Sequence, residues 1–538
     1  MSSQNFSMKS YMKGALLLTL AALIVKVLSA AYRIPFQNIV GDQGFYVYQQ
    51  VYPFVAIFVT WTAGGVAVAI SKMLANLSIE KEVEYAKRQA INKILYSYLT
   101  VLSLLFFSLL FFGAPLFTQF MGDDGLIFPL RVGAVVTLFM PTLAILKGSF
   151  QSRGLLEPIA YSQVFEQGVR VSVILLGTIV VMNTTGSVYD AGTTAIFGTV
   201  IGELACIFLL AYFILKQRRI QPVEKVVVAK WPVIKEVTLF SLSVSMSSLL
   251  LLGYQLIDSF TVFSALVESG IPFSEAQILK GIYDRGQPLV QLGLVIATSL
   301  ALAIVPLIAF RLSKKGGRGP LPFIHLTYKA SIVFAVAASM GLVVIMPFMN
   351  EALFKTNELS NVLSIYCLQI IPLSIILTLT AVLQGYNKLF IPACFIVGSL
   401  VMKMIGNALF IPVYLLNGVA VTSVISLSIC AGCLVVYLKK VCQSNLATGA
   451  FYWRLMLATI SMIVSVKLME LLISSVVSIQ QIGRVEALAI SLLLIAVGAF
   501  VFITIVAKLR ILKEKEWFVI PFGRKMAAYQ LWLKRKNK

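Results

Sequence analysis

Two cations stand in a stretch that otherwise has the composition of a membrane helix. In ALIVKVLSAAYRIPFQNIVG, residues 22–41, Lys26 and Arg33 are seven residues apart. This is close to two helical turns, so both side chains project from nearly the same face, about 10 Å apart. A cation near the bilayer midplane costs at least about 2.5 to 3.5 kcal/mol unless it faces water, a partner or a ligand. The spacing predicts either a wet cavity that binds an anion, or ion pairs with Asp258 or Glu166.

Asp258 is the acidic counterpart in this part of the sequence. It lies in YQLIDSFTV, inside another apolar stretch. Two roles are open: it could pair with Lys26 or Arg33, or it could bind a proton or a sodium ion. We favour pairing, because a buried carboxylate needs a partner as much as a buried cation does.

The sequence around these residues has the composition of a polytopic membrane protein. Of the 538 residues, 59% are hydrophobic and only 12% are charged. We count about 14 apolar segments long enough to cross a hydrocarbon core, which takes about 20 helical residues. The expected fold is therefore an all-α integral membrane protein. The predicted segments lie near residues 14–38, 45–70, 92–120, 127–149, 159–182, 193–215, 233–263, 284–310, 327–349, 361–385, 389–414, 417–438, 453–476 and 485–508.

The basic residues behind the net charge of +22 are concentrated in alternate loops. By our count, about 34 of the 44 Lys and Arg residues fall at the N-terminus, in alternate loops or in the tail. With 14 spans these regions share one side, so the positive-inside rule predicts that both termini are cytoplasmic. This distribution argues against a nucleic-acid partner. The tail 517–538 mixes aromatic and basic residues, which predicts either an interfacial helix on anionic lipid or a solvated topogenic tail.

Three weak internal matches share one offset. A spacing of about 233 residues relates GVAVAIS to SLALAIV, FQSRGLLEP to LQGYNKLFIP, and Arg170 to Lys403. The offset corresponds to six helices, which predicts two pseudo-symmetric six-helix lobes around a central cavity, with two helices appended. The predicted domains are an N-lobe at 1–220, a C-lobe at 221–441, two further spans at 442–510 and a basic cytoplasmic or interfacial tail at 511–538.

The repeat gives Arg170 and Lys403 equivalent positions near the cytoplasmic half. Glu166 stands four residues before Arg170, on the same helix face, so the two are predicted to pair. Glu166, Arg170 and Lys403 are our candidates for gate or headgroup residues. The alternative is that the cations reach the cytoplasmic interface along their aliphatic stems.

Longer stretches resemble a known transporter superfamily. The runs KVLSAAYRIPFQNIVGDQGFYVYQQVYP, GGVAVAISK, KGSFQSRGLLEPIAYSQVFEQGVRV and YDRGQPLVQLGLVIATSLALAIVP are similar to the multidrug/oligosaccharidyl-lipid/polysaccharide exporter superfamily. Within it, the chain looks most like the stage V sporulation protein B branch, which is related to the MurJ lipid II flippases. The resemblance implies alternating access through a V-shaped cavity between the lobes. It also implies export of an undecaprenyl-pyrophosphate-linked oligosaccharide, such as lipid II or another cell-envelope precursor.

The resemblance also adds candidate substrate-binding residues. Asp284 and Arg285 precede Pro288 as in the MurJ pattern, in which the arginine lines the cavity. Lys26 and Arg33 match, or fall within one residue of, the cavity cations of the family's first helix. One departure is in the second helix, where residues 54–58 are apolar and MurJ proteins carry arginines. The alternative for Arg285 is an interfacial anchor at the outer end of its helix.

Catalysis finds little support in the sequence. No GxxxxGK[ST] phosphate loop is present, so we predict a chain that is not an enzyme and has no cofactor or metal. Asp123-Asp124 could suggest the acidic loop of a membrane glycosyltransferase, but Gly122 and Gly125 around it favour a turn. A cation-coupled multidrug exporter of the same superfamily is the other alternative. The expected partners are a lipid-linked sugar and membrane lipids, with a coupling ion, Na⁺ or H⁺, left open, and the expected state is a monomer.

Overall fold

The chain is all-α over the residues that its computed structural model describes. These are residues 8–75, 77, 81–217, 226–301, 304, 308, 319, 321–388, 390–475, 482–517 and 523–536. No strand occurs among them, which confirms the predicted fold class. Parts of the basic loops near 216–235 and 311–329, the end of the predicted span 284–310 and part of the tail lie outside the described residues.

The chain divides into two compact units, of which unit 1 comprises Met1–Asp284 and Asn407–Pro412. Its α-helices are α1 (Met8–Ala31), α2 (Arg33–Trp61), α3 (Ala67–Ala75), α4 (Lys81–Phe112), α5 (Ala114–Met121), α6 (Ile127–Ala134), α7 (Met140–Ser152), α8 (Glu157–Thr184), α9 (Val188–Gln217), α10 (Lys230–Glu268) and α11 (Phe273–Asp284).

Unit 2 comprises Arg285–Gly406 and Val413–Lys538. Its described α-helices are α12 (Gly286–Gly293), α13 (Leu321–Phe354), α14 (Ser360–Cys367), α15 (Ile370–Gly385), α16 (Phe390–Cys442), α17 (Gly449–Ser474), α18 (Arg484–Lys508), α19 (Glu514–Trp517) and α20 (Gly523–Lys536). Residues 295–301 are also helical. The lobe boundaries predicted from the repeat stay predictions.

Eleven helical stretches in the described residues are long and apolar enough to cross a membrane, so the chain is a multi-pass integral membrane protein. Two of them are too long for a single crossing. Leu17–Ala75 leaves helical backbone at Gly41, where φ is 68° and ψ is −175°. Phe390–Cys442 does so at Leu415, where φ is 49°. Each can therefore supply two crossings, while the exact number of 14 stays a prediction.

Close helix contacts in unit 1 depend on a glycine that the sequence singled out. Trp61, Ile70, Leu95, Met140 and Val237 belong to one buried apolar cluster from five helices or their ends. Beside it, a short π-helical segment, Thr62–Val66, continues α2 into α3. A Cβ on Gly65 would lie 2.0 Å from the Ser245 hydroxyl, so glycine is required for this approach of α10. From the sequence, Gly64-Gly65 predicts either a close helix contact or a bend, and the structure shows the close contact at Gly65.

Candidate functional site

Arg33 is a buried cation without a hydrogen-bonded acceptor in the described part of the chain. It opens α2 and is 0% exposed. Its three guanidinium nitrogens are buried and donate to no described group. The guanidinium carbon lies 4.5 Å from the centre of the Tyr52 ring, so its visible stabilisation is a cation–π contact. A desolvated guanidinium held in this way is costly, because its hydrogen-bond donors have lost water without gaining an acceptor.

The walls around Arg33 are aromatic and rigid. The hydroxyls of Tyr32 and Tyr48 are hydrogen-bonded to each other, and both residues are buried. The Phe36 ring meets the Tyr48 ring edge-on at 5.2 Å. Tyr32 and Phe36 stand one residue before and three residues after Arg33, so their contacts with Tyr48 fix the backbone around it.

Lys26 has a different environment from Arg33, although the spacing puts both on one face. It lies on α1 and is exposed. It forms no ion pair with a described carboxylate. The helix continues through Tyr32, whose amide donates to the Leu28 carbonyl, so the predicted register of the two cations is kept. Lys26 therefore lies at the protein surface, whereas Arg33 is enclosed by the protein.

Asp284 and Asp258 are both buried, and each is bound by groups other than Lys26 or Arg33. Lys280 donates to both carboxylate oxygens of Asp284 at 2.7 Å. Asp258 accepts from the Asn407 amide at 3.0 Å and from the Tyr283 hydroxyl at 3.4 Å. The favoured pairing of Asp258 with Lys26 or Arg33 is wrong for this conformation, because an amide and a phenol take the carboxylate oxygens instead. Arg33 lies within electrostatic range of Asp284, whose charge Lys280 already neutralises.

Glu166 and Arg170 form the predicted pair and belong to a larger buried network. Arg170 donates to Glu166 at 2.9 Å, as the four-residue spacing predicts, and to Glu203 of α9 at 3.3 Å. Lys147 of α7 also contacts Glu166, at 3.4 Å. The two positive charges of Lys147 and Arg170 thus balance the two negative charges of Glu166 and Glu203. Glu166 is not a partner of Lys26 or Arg33. The network joins α7, α8 and α9 rather than presenting a free charge.

Lys403, the repeat equivalent of Arg170, has an analogous position in unit 2. It is fully buried and donates to the Ser423 hydroxyl at 2.6 Å and to the Val419 carbonyl at 3.1 Å. Arg170 of α8 thus bonds to the next helix, α9, and Lys403 bonds to the part of α16 that follows the kink at Leu415. These contacts argue against the alternative that the two cations extend to the cytoplasmic interface. A gate or headgroup role stays a prediction for Glu166, Arg170 and Lys403.

Arg285 is held inside unit 2 by neutral partners. It is 0% exposed, and its Nη1 donates to the Asn350 side-chain oxygen at 3.0 Å and to the Thr356 hydroxyl at 2.8 Å. Its guanidinium also lies 5.2 Å from the Phe354 ring centre. These contacts pin the C-terminal end of α13 and the loop after it. The two interpretations of Arg285, a substrate contact and an interfacial anchor, both stay predictions.

Asp123 organises a polar cluster that the sequence analysis missed. It caps the short helix Asp124–Leu126, as a turn residue would, but its carboxylate also accepts from Tyr46 at 3.1 Å and from Gln277 at 3.2 Å. Tyr189 donates to both oxygens of this carboxylate. The turn prediction is confirmed, while the cluster is non-local and left no signal in spacing. Lys280, also missed, did leave one, since it precedes Asp284 by four residues.

Metal binding has no support in this part of the chain. Among the described residues, no group of three or more His, Cys, Asp or Glu side chains could hold a metal ion. The six cysteines are free, and Cys206, Cys367 and Cys430 are buried.

Sequence comparison places the chain in a family. The model of the family described as "Polysaccharide biosynthesis protein" matches residues 11–310, more than half of the chain. The chain belongs to this family. It is 34% identical over 525 residues to the uncharacterized membrane protein YabM of Bacillus subtilis (strain 168), covering 96% of each chain. It is 22% identical over 522 residues to the lipid II flippase MurJ of the same organism, covering 91% of this chain and 94% of MurJ.

Solved structures with this fold are transporters. A lipid II flippase MurJ in an inward closed conformation matches with a TM-score of 0.66 and 13% identity, over 92% of this chain and 99% of that one. An inward-facing MATE multidrug transporter of the MOP superfamily matches with a TM-score of 0.59 and 14% identity, over 79% of this chain and 97% of that one. This polysaccharide biosynthesis family member therefore has the MOP fold and belongs to the MurJ-related branch.

Proposed function

We propose that this protein is a flippase that moves an undecaprenyl-pyrophosphate-linked oligosaccharide, lipid II or another cell-envelope precursor, across the bacterial plasma membrane. The family description and the name of the MurJ relative support this reading. The MOP fold supports transport by alternating access rather than a chemical reaction.

The main observation behind the proposal is that Arg33 is buried without a hydrogen-bond acceptor among the described residues. A charged group buried without a hydrogen-bonded acceptor is costly, and proteins keep such groups where they serve a function. Arg33 donates to none of the described acceptors. Asp284, a carboxylate within electrostatic range of Arg33, is bound by Lys280. A pyrophosphate would supply the missing acceptors.

Guanidinium and pyrophosphate are matched in shape as well as charge. The planar fork of an arginine can donate two parallel hydrogen bonds to two phosphate oxygens, and both become stronger where water is excluded. Tyr52 covers one face of the Arg33 guanidinium, which leaves the edge nitrogens for the ligand. Lys26, which is exposed two turns earlier, would meet the headgroup first and pass it toward Arg33.

The buried cation of Arg33 supports an anionic cargo more than the cationic cargo of a multidrug exporter. A cationic drug requires a carboxylate that no protein cation neutralises. Glu166 and Glu203 share Arg170, and Asp284 is bound by Lys280, whereas Asp258 accepts from the neutral groups of Asn407 and Tyr283 and is the carboxylate that a multidrug exporter would use. The cation of Arg33 has no such partner among the described residues. Arg33 is therefore our choice for the principal headgroup contact.

The test is flipping of a fluorescent lipid-linked sugar in proteoliposomes with the Arg33 variants. Arg33→Ala should be inserted normally but lose at least about tenfold in flipping rate, because each hydrogen bond to a charged group is worth about 1.5 to 3 kcal/mol. Arg33→Lys should keep part of the activity, since an ammonium keeps the charge but not the fork. Arg153→Ala, which removes an exposed arginine, is the matched control and should flip at the wild-type rate. Wild-type flipping by Arg33→Ala would refute the assignment.

A further inference from the structure

The C-terminal helix α20 is fastened to the end of a membrane span. Its Gln530 amide donates to the carbonyls of Ala507 and Leu512, both at 3.2 Å, and accepts from the Trp517 indole at 3.0 Å. The Tyr529 hydroxyl lies 3.0 Å from that of Thr504. Thr504 and Ala507 belong to the last turn of α18, which spans the membrane. The contacts hold α20 at the level where a span leaves the bilayer.

The face of α20 beside this contact is both basic and apolar. Gly523, Ala527 and Gln530 form the buried side. About 100° around the helix from them, the spacing i, i+4, i+7, i+11 aligns four exposed residues. These are Arg524, Ala528, Leu531 and Arg535. Lys525 and Trp532 flank the row and are also exposed. We call these six residues the outer face of α20.

The outer face has two large apolar side chains that water would not favour. Leu531 is 42% exposed and Trp532 is 53% exposed. The Trp532 ring stacks on Tyr529, with centroids 6.0 Å apart and planes at 17°, and Tyr529 is itself tied to α18. The indole is therefore held in place on the outer face. An indole among cations is the typical composition of a membrane-interface helix.

We propose that the outer face of α20 is a binding surface for anionic phospholipid in the leaflet where α18 ends. The helix sequence GRKMAAYQLWLKRK contains no acidic residue, and the cations at both of its ends complement phosphate headgroups. Arg524, Lys525 and Arg535 reach the phosphates, while Leu531 and Trp532 enter the acyl boundary. Because α20 is bonded to the end of a membrane span, its outer face lies next to the bilayer. A solvated topogenic tail would need no such attachment.

The lipid would also keep α20 docked. The hydrogen bonds of Gln530 involve backbone carbonyls at the end of α18, where the chain leaves its last span. A surface held on both sides, by α18 and by lipid, orders this end of the protein more than either contact alone. Loss of anionic lipid should therefore loosen α20 without unfolding the spans.

The experiment places an environment-sensitive label on the outer face. Ala528→Cys in a background without the six native cysteines is labelled with NBD and reconstituted in nanodiscs of phosphatidylcholine, with or without phosphatidylglycerol. In phosphatidylglycerol the emission should shift to the blue, and nitroxide-labelled lipid should quench it at least twofold more than in phosphatidylcholine alone. The same label at Thr185→Cys, in an exposed loop, should remain unquenched in both.

Charge variants separate lipid binding from a general effect of net charge. Arg524→Gln, Lys525→Gln and Arg535→Gln together should abolish the extra quenching in phosphatidylglycerol. Lys388→Gln, Lys439→Gln and Lys440→Gln remove three exposed cations elsewhere and should leave it unchanged. A label at residue 528 that stays unquenched in both lipids would show that water or another protein covers the face. Equal quenching in both lipids would show contact without a preference for anionic headgroups. Either result overturns the proposal.

Discussion

The Tyr189 hydroxyl lies 3.0 Å and 2.9 Å from the two carboxylate oxygens of Asp123, which share its one donated proton. This joins a short connecting helix to the start of α9, and Tyr46 and Gln277 bring α2 and α11 to the same carboxylate. A single buried charge therefore links four parts of unit 1. Because its donors are neutral, the carboxylate is stabilised by hydrogen bonds alone.

We predict that Asp123 determines much of the stability of this region. Asp123→Ala leaves buried donors without an acceptor, at about 1 to 3 kcal/mol for each group left unsatisfied. The apparent Tm in detergent should fall by several degrees. Asp124→Ala is the matched control, since Asp124 is exposed, and it should leave the Tm nearly unchanged. Thermal unfolding followed by fluorescence-detected size-exclusion chromatography measures both, and equal Tm values for the two variants would contradict the prediction.

The buried pair of Lys280 and Asp284 gives a second stability prediction. Asp284→Asn leaves the Lys280 ammonium buried without its carboxylate, which costs about 3 to 5 kcal/mol. Replacing both residues by leucine removes the unpaired charge, so the double variant should be more stable than Asp284→Asn. The same thermal assay compares them.

The control for that experiment is an ion pair that is accessible. Lys467 and Glu470 are 2.7 Å apart, and the lysine side chain is 54% exposed. Exposed pairs contribute about 0 to 1 kcal/mol. Glu470→Gln should therefore shift the Tm much less than Asp284→Asn does. If Glu470→Gln were the more damaging of the two, burial would not be the cause of the difference.

The charge distribution predicts the topology of the chain. In a cysteine-free background, single cysteines at Ser187 and Asn417 should react with an impermeant thiol reagent from outside the cell. Cysteines at Ser313 and Ser444 should react only after the membrane is opened, because their loops carry the basic residues. Ser313 lies outside the described residues, so its placement depends on the sequence alone. The reverse labelling pattern would invert the assignment of both termini.

The sequence predicted the local features of this molecule and missed the non-local ones. The Glu166–Arg170 pair and the close contact at Gly65 follow from spacing along one helix or from a residue with no side chain. Arg33 and Lys26 share a face by the same logic, yet one is buried and the other exposed. The difference comes from Tyr52 on the returning part of α2, a contact that depends on how the chain turns at Gly41.

The wrong prediction of an ion pair for Asp258 also comes from a contact between residues that are distant in sequence. Composition suggested Asp258 as the carboxylate for Lys26 or Arg33, because it was the prominent acid in a neighbouring span. Asn407, 149 residues away, takes that carboxylate instead. The Asp123 cluster likewise gathers donors that are 66 to 154 residues distant in sequence. Such contacts become visible only when helix packing is known.

The last prediction follows from the charge of the proposed cargo. A pyrophosphate that moves outward from a negative interior gains about 2.3 kcal/mol per charge for each 100 mV. Two uncompensated charges would gain about 4 to 5 kcal/mol, so the membrane potential should assist flipping. In proteoliposomes that contain a labelled lipid-linked sugar, an inside-negative potassium diffusion potential should raise the outward rate, and its collapse should lower it. If Arg33 instead moved outward together with the phosphates, its charge would cancel part of theirs, and the dependence would be weaker in proportion. A rate that does not respond to the imposed potential would mean that the load is electrically neutral, which contradicts the transport of a bare pyrophosphate.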